Sequence, residues 1–185
     1  MLKALLPLLL WISTGSTAPA GVATYLRSNG IVAFHKLYHL KMNFPRAKKH
    51  CEQNGAHLAG ITSREEAQKL IDLANEAGES NEQYWLGGQR KGECYGMRNY
   101  DKDHGLNATC SLSNVVQWLD NVAETIDPDW WKIPGPSHIP FNMPQQCLSF
   151  VHGDRDWTTP NDPGFLDDIG CDVPRKFFCT ELHEW

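Results

Sequence analysis

The residues best suited to catalysis are hydroxyl, imidazole and carboxylate side chains in two stretches of the C-terminal half. Ser137 and His138 adjoin in the first stretch. His152, Asp154 and Asp156 stand in the second, VHGDRD. These types could form a base-activated nucleophile, but the chain has no Gly-x-Ser-x-Gly, His-Glu-x-x-His or phosphate-binding glycine motif. We therefore predict that the protein is not an enzyme and keep an enzyme as an alternative.

Carboxylates could also bind a cation, and the run from Asn99 through Asp101 to Asp103 is similar to the start of a calcium loop. Gly105 comes one position too late, however, and Cys110 stands where a bidentate glutamate is needed. A second acidic group comprises Asp120, Glu124, Asp127 and Asp129. We interpret that group as a solvated acidic face rather than as a metal site.

Aromatic side chains on a stiff loop are better candidates, and for binding rather than catalysis. Residues 127–147 contain five of the chain's eleven prolines and the pair Trp130 and Trp131, without helical or strand periodicity. Because proline restricts the backbone, such a loop loses less entropy on ordering than a flexible one, and long ordered loops are usually binding loops or lids. Trp130 and Trp157 could stack on a sugar ring or fill a partner's pocket. We expect a ligand surface on residues 127–146 and 154–168.

Two amphipathic helices should lie on the core that positions these loops. In NFPRAKKHCEQNG, Asn43 can cap the helix and Gly55 can end it. In SREEAQKLIDLANEAG, Ser63 and Glu66 form a capping box. The apolar stripe of this second helix comprises Ala67, Leu70, Ile71 and Ala74. Strand-like runs stand before and after the helices: IVAFHKLYHL, YWLGG, VVQWLD, QCLSFV and KFFCTEL. This order predicts an α+β fold.

The first twenty residues predict a secretory signal peptide. Lys3 supplies a positive start, residues 4–12 are apolar, and small residues precede Gly21. The apolar run is shorter than the roughly 20 residues that a membrane span needs. We expect cleavage near Ala20 and a secreted, extracellular product. The net charge of −5 argues against a nucleic acid or an anionic membrane as partner.

An even number of cysteines in a secreted chain predicts disulfides rather than free thiols. The six are Cys51, Cys94, Cys110, Cys147, Cys171 and Cys179. Their spacing alone does not choose among the pairings, and it includes no Cys-x-x-Cys pair that would indicate zinc. Asn107-Ala108-Thr109 is an acceptor for N-glycosylation, so we expect a glycan on Asn107 in an exposed loop.

The order of features resembles the C-type lectin-like domain from about His35 to Leu182. The landmarks are a helix ending near Cys51, a helix opening at Ser63, Trp85-Leu86-Gly87-Gly88 for the family's Trp-Ile-Gly, Trp118-Leu119-Asp120, Trp131, Cys147, the run GFLDDIGC and Cys179. This resemblance implies that Cys51 pairs with Cys179 and Cys147 with Cys171, which leaves Cys94 with Cys110. It also implies core positions for Trp85, Trp118 and Trp131.

The resemblance further indicates where calcium would bind in the family. Calcium takes about six to eight oxygen ligands, several of them anionic. Aligned on the loop tryptophan and cysteine, the family's Glu-Pro-Asn falls on Gly135-Pro136-Ser137, the acid before the cysteine falls on Gln145, and Trp-Asn-Asp becomes Leu166-Asp167-Asp168. Most of the ligand positions thus lack an anion or a strong ligand. We predict no cofactor, with Asp167 and Asp168 as weak metal candidates, and keep a calcium-dependent lectin with altered ligands as an alternative.

Together these features predict a secreted C-type lectin-like protein that binds a carbohydrate or a protein. We divide the chain into a signal peptide (1–20), an N-terminal linker or strand (21–34), the lectin-like domain (35–182) and a short tail (183–185). The candidate ligand-binding residues are Trp130, Ser137, His138, Gln145, Trp157, Asp167 and Asp168.

Overall fold

A computed structural model describes residues 18–98, 105–132, 135–137, 144–153 and 165–184. The predicted signal peptide, apart from its last three residues, lies outside this part of the chain, as do His138, Trp157 and the run from Asn99 to Asp103. The two helices are α1 (Phe44–Gln53) and α2 (Arg64–Glu76). The strands are β1 (Gly21–Leu26), β2 (Ile31–Met42), β3 (His57–Leu58), β4 (Glu82–Arg90), β5 (Val116–Trp118), β6 (Cys147–His152), β7 (Leu166–Ile169) and β8 (Arg175–Glu184).

The described strands form one mixed sheet, which confirms the predicted α+β class. Its main order is β1-β2-β8-β4-β6-β7, with β3 added beside β8 and β5 beside β4. The β4 and β8 pair is parallel and the other pairs are antiparallel. None of the described helices is long and apolar enough to cross a membrane.

Both helices begin at the caps that the sequence predicts. Asn43 Oδ1 accepts a hydrogen bond from Arg46 N (3.2 Å), and Ser63 Oγ accepts from Glu66 N (3.1 Å). The second half of the predicted capping box is wrong, because the Glu66 carboxylate turns into the protein and accepts from Thr62 N (2.7 Å). The start of α2 therefore depends on a buried charge as well as on its cap.

Glu66 belongs to a buried polar cluster that fastens the N-terminal hairpin of β1 and β2 to the rest of the fold. Arg27, which follows β1, donates to Glu66 Oε1 (2.9 Å), to Gly60 O (2.8 Å) and to Asp120 Oδ2 (3.3 Å). His35 Nε2 lies 2.9 Å from Glu66 Oε1. The prediction that Asp120 belongs to a solvated acidic face with Glu124, Asp127 and Asp129 is wrong for Asp120, because its side chain is buried and pairs with Arg27.

Charge and hydrogen bonding decide the ionisation of Glu66. Burial by itself would raise the pKa of this carboxyl. The hydrogen bond and charge of His35, the charge of Arg27 and the hydroxyl of Thr62 together outweigh burial and hold the pKa of Glu66 below its usual value. The cluster is therefore most stable with Glu66 ionised.

Three disulfides connect the elements: Cys51–Cys179, Cys94–Cys110 and Cys147–Cys171. These are the pairs that the resemblance implies. The first joins α1 to β8, and the third joins the start of β6 to the turn after β7. Trp85, Trp118 and Trp131 are buried, as the resemblance implies for core residues.

Candidate functional site: the base of the long loop

The long loop that joins Trp131 to Cys147 is attached at both ends to β7. Trp131 forms an isolated bridge with Leu166, and its indole Nε1 donates to Leu112 O (2.8 Å). At the other end, Gln146 N donates to Ile169 O (3.2 Å), next to the Cys147–Cys171 disulfide. The backbone and the disulfide thus fix the origin of the loop, whatever its tip binds.

The structure brings together three of the predicted site residues at this base. Ser137 N donates to Asp168 Oδ1 (2.7 Å), and Ser137 Oγ is hydrogen bonded to Gln145 Oε1. The peptide between Gly135 and Pro136, just before this serine, is cis. Ser137, Gln145 and Asp168 therefore bind each other across the loop, and their polar atoms serve to close it.

Arg90, the last residue of β4, is the centre of this arrangement. Its Nη2 lies 2.7 Å from Asp168 Oδ2, and both side chains are almost fully buried, with 1% and 3% of their surface exposed. The same guanidinium donates to Gln145 O (3.3 Å), Met97 O (3.1 Å) and Cys94 O (3.3 Å). One cation thus holds the loop, the disulfide-bonded insertion at residues 94–110 and β7 together.

Sequence reasoning missed Arg90. An available signal was its place at the end of the strand run YWLGGQR, in which most neighbours are apolar or glycine. An arginine in such a run indicates a buried ion pair, because arginine is almost never fully buried unless it is paired. Its partner, 78 residues further along the chain, could not be read from that pattern.

Asp167 has a separate role beside this cluster. Gln83 Nε2 donates to Asp167 Oδ2 (3.1 Å) and to Ser149 Oγ (2.8 Å). Ser149 Oγ in turn donates to the backbone oxygen of Asp167 (2.9 Å). Asp167 therefore connects β4, β6 and β7, and its carboxylate accepts from the Gln83 amide, whereas the Asp168 carboxylate pairs with Arg90.

These residues do not fit the calcium cage of the family. Gly135 has no side-chain oxygen, and the Ser137 hydroxyl is bonded to Gln145. The carboxylate of Asp168 already carries a guanidinium and a backbone amide. No group of three or more His, Cys, Asp or Glu side chains suited to a metal occurs among the described residues. The donor set is that of a closed ion-pair network and not of a metal site.

The prediction of Trp130 as an exposed aromatic is wrong. It lies in a short 3₁₀ turn, Pro128–Trp130, with 5% of its surface exposed, and its ring packs on Phe165 with centroids 5.5 Å apart. The backbone of Trp130 also binds the next loop, since Phe165 N donates to Trp130 O (2.8 Å). Trp130 supports the loop and offers no face to a ligand.

The serine, histidine and aspartate side chains that could serve catalysis do not come together within the described residues. Ser137 is bonded to Gln145, whereas His152 Nε2 lies 3.0 Å from Asn75 Oδ1 on α2. The remaining candidates, His138, Asp154 and Asp156, lie outside the described part of the chain. The arrangement that is visible can therefore anchor two loops, and it contains no nucleophile with a base beside it.

Comparison with known proteins agrees with this architecture. The family model described as "Lectin C-type domain" matches residues 40–181, so the chain belongs to the C-type lectin domain family. Domains of this family are generally binding modules rather than enzymes and are often extracellular. No curated protein sequence matches the chain significantly.

Several solved structures share the fold. The carbohydrate-recognition domain of the mouse scavenger receptor C-type lectin is 22% identical, with a TM-score of 0.53, 83% of this chain and 91% of that chain covered. Human lithostathine is 16% identical, with a TM-score of 0.59 and coverage of 98% and 99%. The lectin CEL-I from Cucumaria echinata is 14% identical, with a TM-score of 0.55 and coverage of 83% and 91%. Identities this low establish a common fold only.

Proposed function

We propose that this chain is a secreted binding protein that recognises a carbohydrate or a protein through its long loop, without the calcium ion that members of its family commonly use there. Family membership supports binding as the class of function. The N-terminal run of Lys3 followed by apolar residues supports secretion, with Gly21 as the first residue of the mature chain.

The pairing of Arg90 with Asp168 is the observation that carries the calcium-independent part of the proposal. Asp168 occupies the family's acidic ligand position that this chain retains, and the Arg90 guanidinium already neutralises its carboxylate. A second cation brought within about 4 Å of it would be repelled by roughly 4 kcal/mol per unit charge at the effective dielectric of a protein surface, and a divalent ion by about twice that. Arg90, a residue of the chain itself, therefore supplies the positive charge that organises the loop.

A loop organised in this way can present ligand groups without metal. Its base is closed by Ser137, Gln145 and Asp168, and its ends are held by β7 and a disulfide. Preorganisation lowers the entropy that binding must overcome, so the affinity then depends on the side chains at the tip. In this proposal the ligand-contacting side chains belong to residues 138–144 and 154–164.

A glycan array, run with added calcium and with a chelator, tests the proposal. We expect the same set of glycans to bind with the same intensity in both conditions, and Ser137→Ala to weaken binding because it loosens the loop. Terbium luminescence on the same samples should show no calcium-competed signal. Binding that requires calcium, and that Asp168→Asn abolishes together with the terbium signal, would instead establish the altered calcium-dependent lectin.

The location is tested separately. The full chain expressed in cultured animal cells should accumulate in the medium, and sequencing of its N-terminus should begin at Gly21. Retention inside the cells with Met1 still present would contradict secretion without affecting the argument from Arg90.

A further inference from the structure

We infer that a second binding site, for a sulfate or phosphate ester of a saccharide, lies on α1, outside the long loop. The site is a cavity of about 260 Å³ lined by Met42, Arg46, Lys49, His50 and Gln53. All five residues belong to the end of β2 or to α1. None of them takes part in the network around Arg90, so this site is independent of the proposed function.

The cavity is lined by positive charge that has no internal partner within the described residues. Arg46 and Lys49 are three positions apart and therefore share a face of α1. Within the described residues neither has a carboxylate partner, and the first turn of the helix contains no acid. Glu52, the one acid of α1, pairs instead with Lys48 (2.9 Å). Two cations thus face a cavity unneutralised in a chain whose net charge is −5.

His50 adds a third polar group at the same place. Its ring is held edge-on by Tyr38 and Phe177, with centroid distances of 4.8 and 5.3 Å. Its Nε2 is covered by protein and, among the described residues, has no hydrogen-bond partner. A buried polar atom that lacks a partner costs free energy, and a ligand acceptor that reached it would recover that cost. His50 therefore lines the cavity with a ring nitrogen that lacks a partner, and the ring must shift to expose this nitrogen before it can donate to an anion.

The cavity is built on rigid elements. The disulfide Cys51–Cys179 ties α1 to β8, and Trp85 Nε1 donates to Met42 O (2.8 Å). At the start of the helix, Phe44 N donates to Cys171 O (2.9 Å). The cationic groups therefore stand on a fixed frame, and only their side-chain ends must be ordered when a ligand binds.

The dimensions and chemistry of the cavity identify the ligand class. The volume of about 260 Å³ lies below the roughly 300 Å³ at which small-molecule pockets begin, so the cavity suits one ring rather than a chain of rings. An arginine fork matches two oxygens of a tetrahedral oxyanion, and a lysine adds a point charge. Gln53 and Met42 then offer an amide and an apolar surface to the sugar that carries the ester.

Calorimetry on the full secreted chain tests this site with four probes: a fully sulfated heparin disaccharide, its unsulfated counterpart, glucose 6-phosphate and inorganic sulfate. Arg46→Gln and Lys49→Gln should each weaken binding of the preferred ester at least about tenfold, since each removes a charge-assisted contact. Lys48→Gln is the matched control, because it removes the same charge from the same helix outside the cavity. It should change the affinity by less than about twofold. The resonances of the His50 ring and the Met42 methyl should shift on binding.

The probes also separate the sources of the oxyanion. Preference for the sulfated disaccharide would assign a sulfate ester, and preference for glucose 6-phosphate a phosphate ester. Equal binding of inorganic sulfate and the disaccharide would overturn the saccharide assignment. Equal losses in all three glutamine variants, or no binding of any probe, would overturn the site itself, and neither result would bear on the chelator experiment at the long loop.

Discussion

Replacement of Arg90 by methionine is the sharpest test of the network that closes the loop. The change removes four hydrogen bonds, among them the buried contact between the guanidinium and Asp168 Oδ2. Removing one partner of a buried ion pair costs about 3 to 5 kcal/mol, because the remaining charge is uncompensated. For a chain of this length each kcal/mol corresponds to about 2 to 4 °C in Tm, so we expect Tm to fall by about 6 to 20 °C.

Urea unfolding with the disulfides intact, followed by tryptophan fluorescence, measures this loss. Arg46→Met is the control, because it makes the same chemical change at an exposed arginine, and it should alter the free energy of unfolding by less than about 0.5 kcal/mol. The double variant Arg90→Met/Asp168→Asn also removes the buried carboxylate charge while it keeps an acceptor for Ser137 N. It should recover at least half of the loss caused by Arg90→Met.

Two results would refute the reasoning. If Arg90→Met cost no more than the Arg46→Met control, the buried pair would not hold the loop. If the double variant were as unstable as the sum of its single variants, the two side chains would act independently, and their pairing would not be what organises the base of the loop.

Three further predictions concern other parts of the chain. The folded protein lowers the pKa of Glu66, so the stability that this carboxylate supplies is complete above about pH 4.5 and is lost as the pH falls through its pKa in the folded state. In urea unfolding measured from pH 7 to 3, Glu66→Gln should therefore reduce the fall of the urea midpoint at acid pH. Gly60→Ala should cost about 2 kcal/mol or more in urea unfolding, because its Cβ would stand 2.2 Å from Asp120 Oδ2, whereas Gly92→Ala, which meets nothing, should be neutral. Glycosidase treatment should reduce the mass of the secreted chain but not of Asn107→Gln; an unchanged wild-type mass would show that the exposed Asn107 is unmodified.

Local features of the fold could be predicted from the sequence because their causes are local. Asn43 and Ser63 cap helices through atoms three residues away, and each cap lies where the pattern predicts it. The succession of strands and helices, with the spacing of tryptophans and cysteines, was enough to indicate the family. The resemblance also implied the disulfide pairs that the structure contains, although cysteine spacing alone could not choose them.

The candidate site could be predicted only in part. The sequence placed Ser137, Gln145 and Asp168 in one region, and the structure brings them together. It did not reveal Arg90, which pairs with Asp168 at the base of the loop. The prediction for Trp130 was wrong, since adjacency to a buried Trp131 does not show that the turn buries both indoles.

The sequence by itself determined the class of fold and the starts of the two helices, because these follow from residue types and short spacings. Only the tertiary structure decided the partners of the buried charges: Arg90 finds Asp168 across 78 positions, and Arg27 finds Glu66 and Asp120 across 39 and 93. A buried cation must be paired, but its partner is whichever acid the packing of sheet, helix and loop brings within reach. That choice depends on the whole fold, so no local pattern contains it.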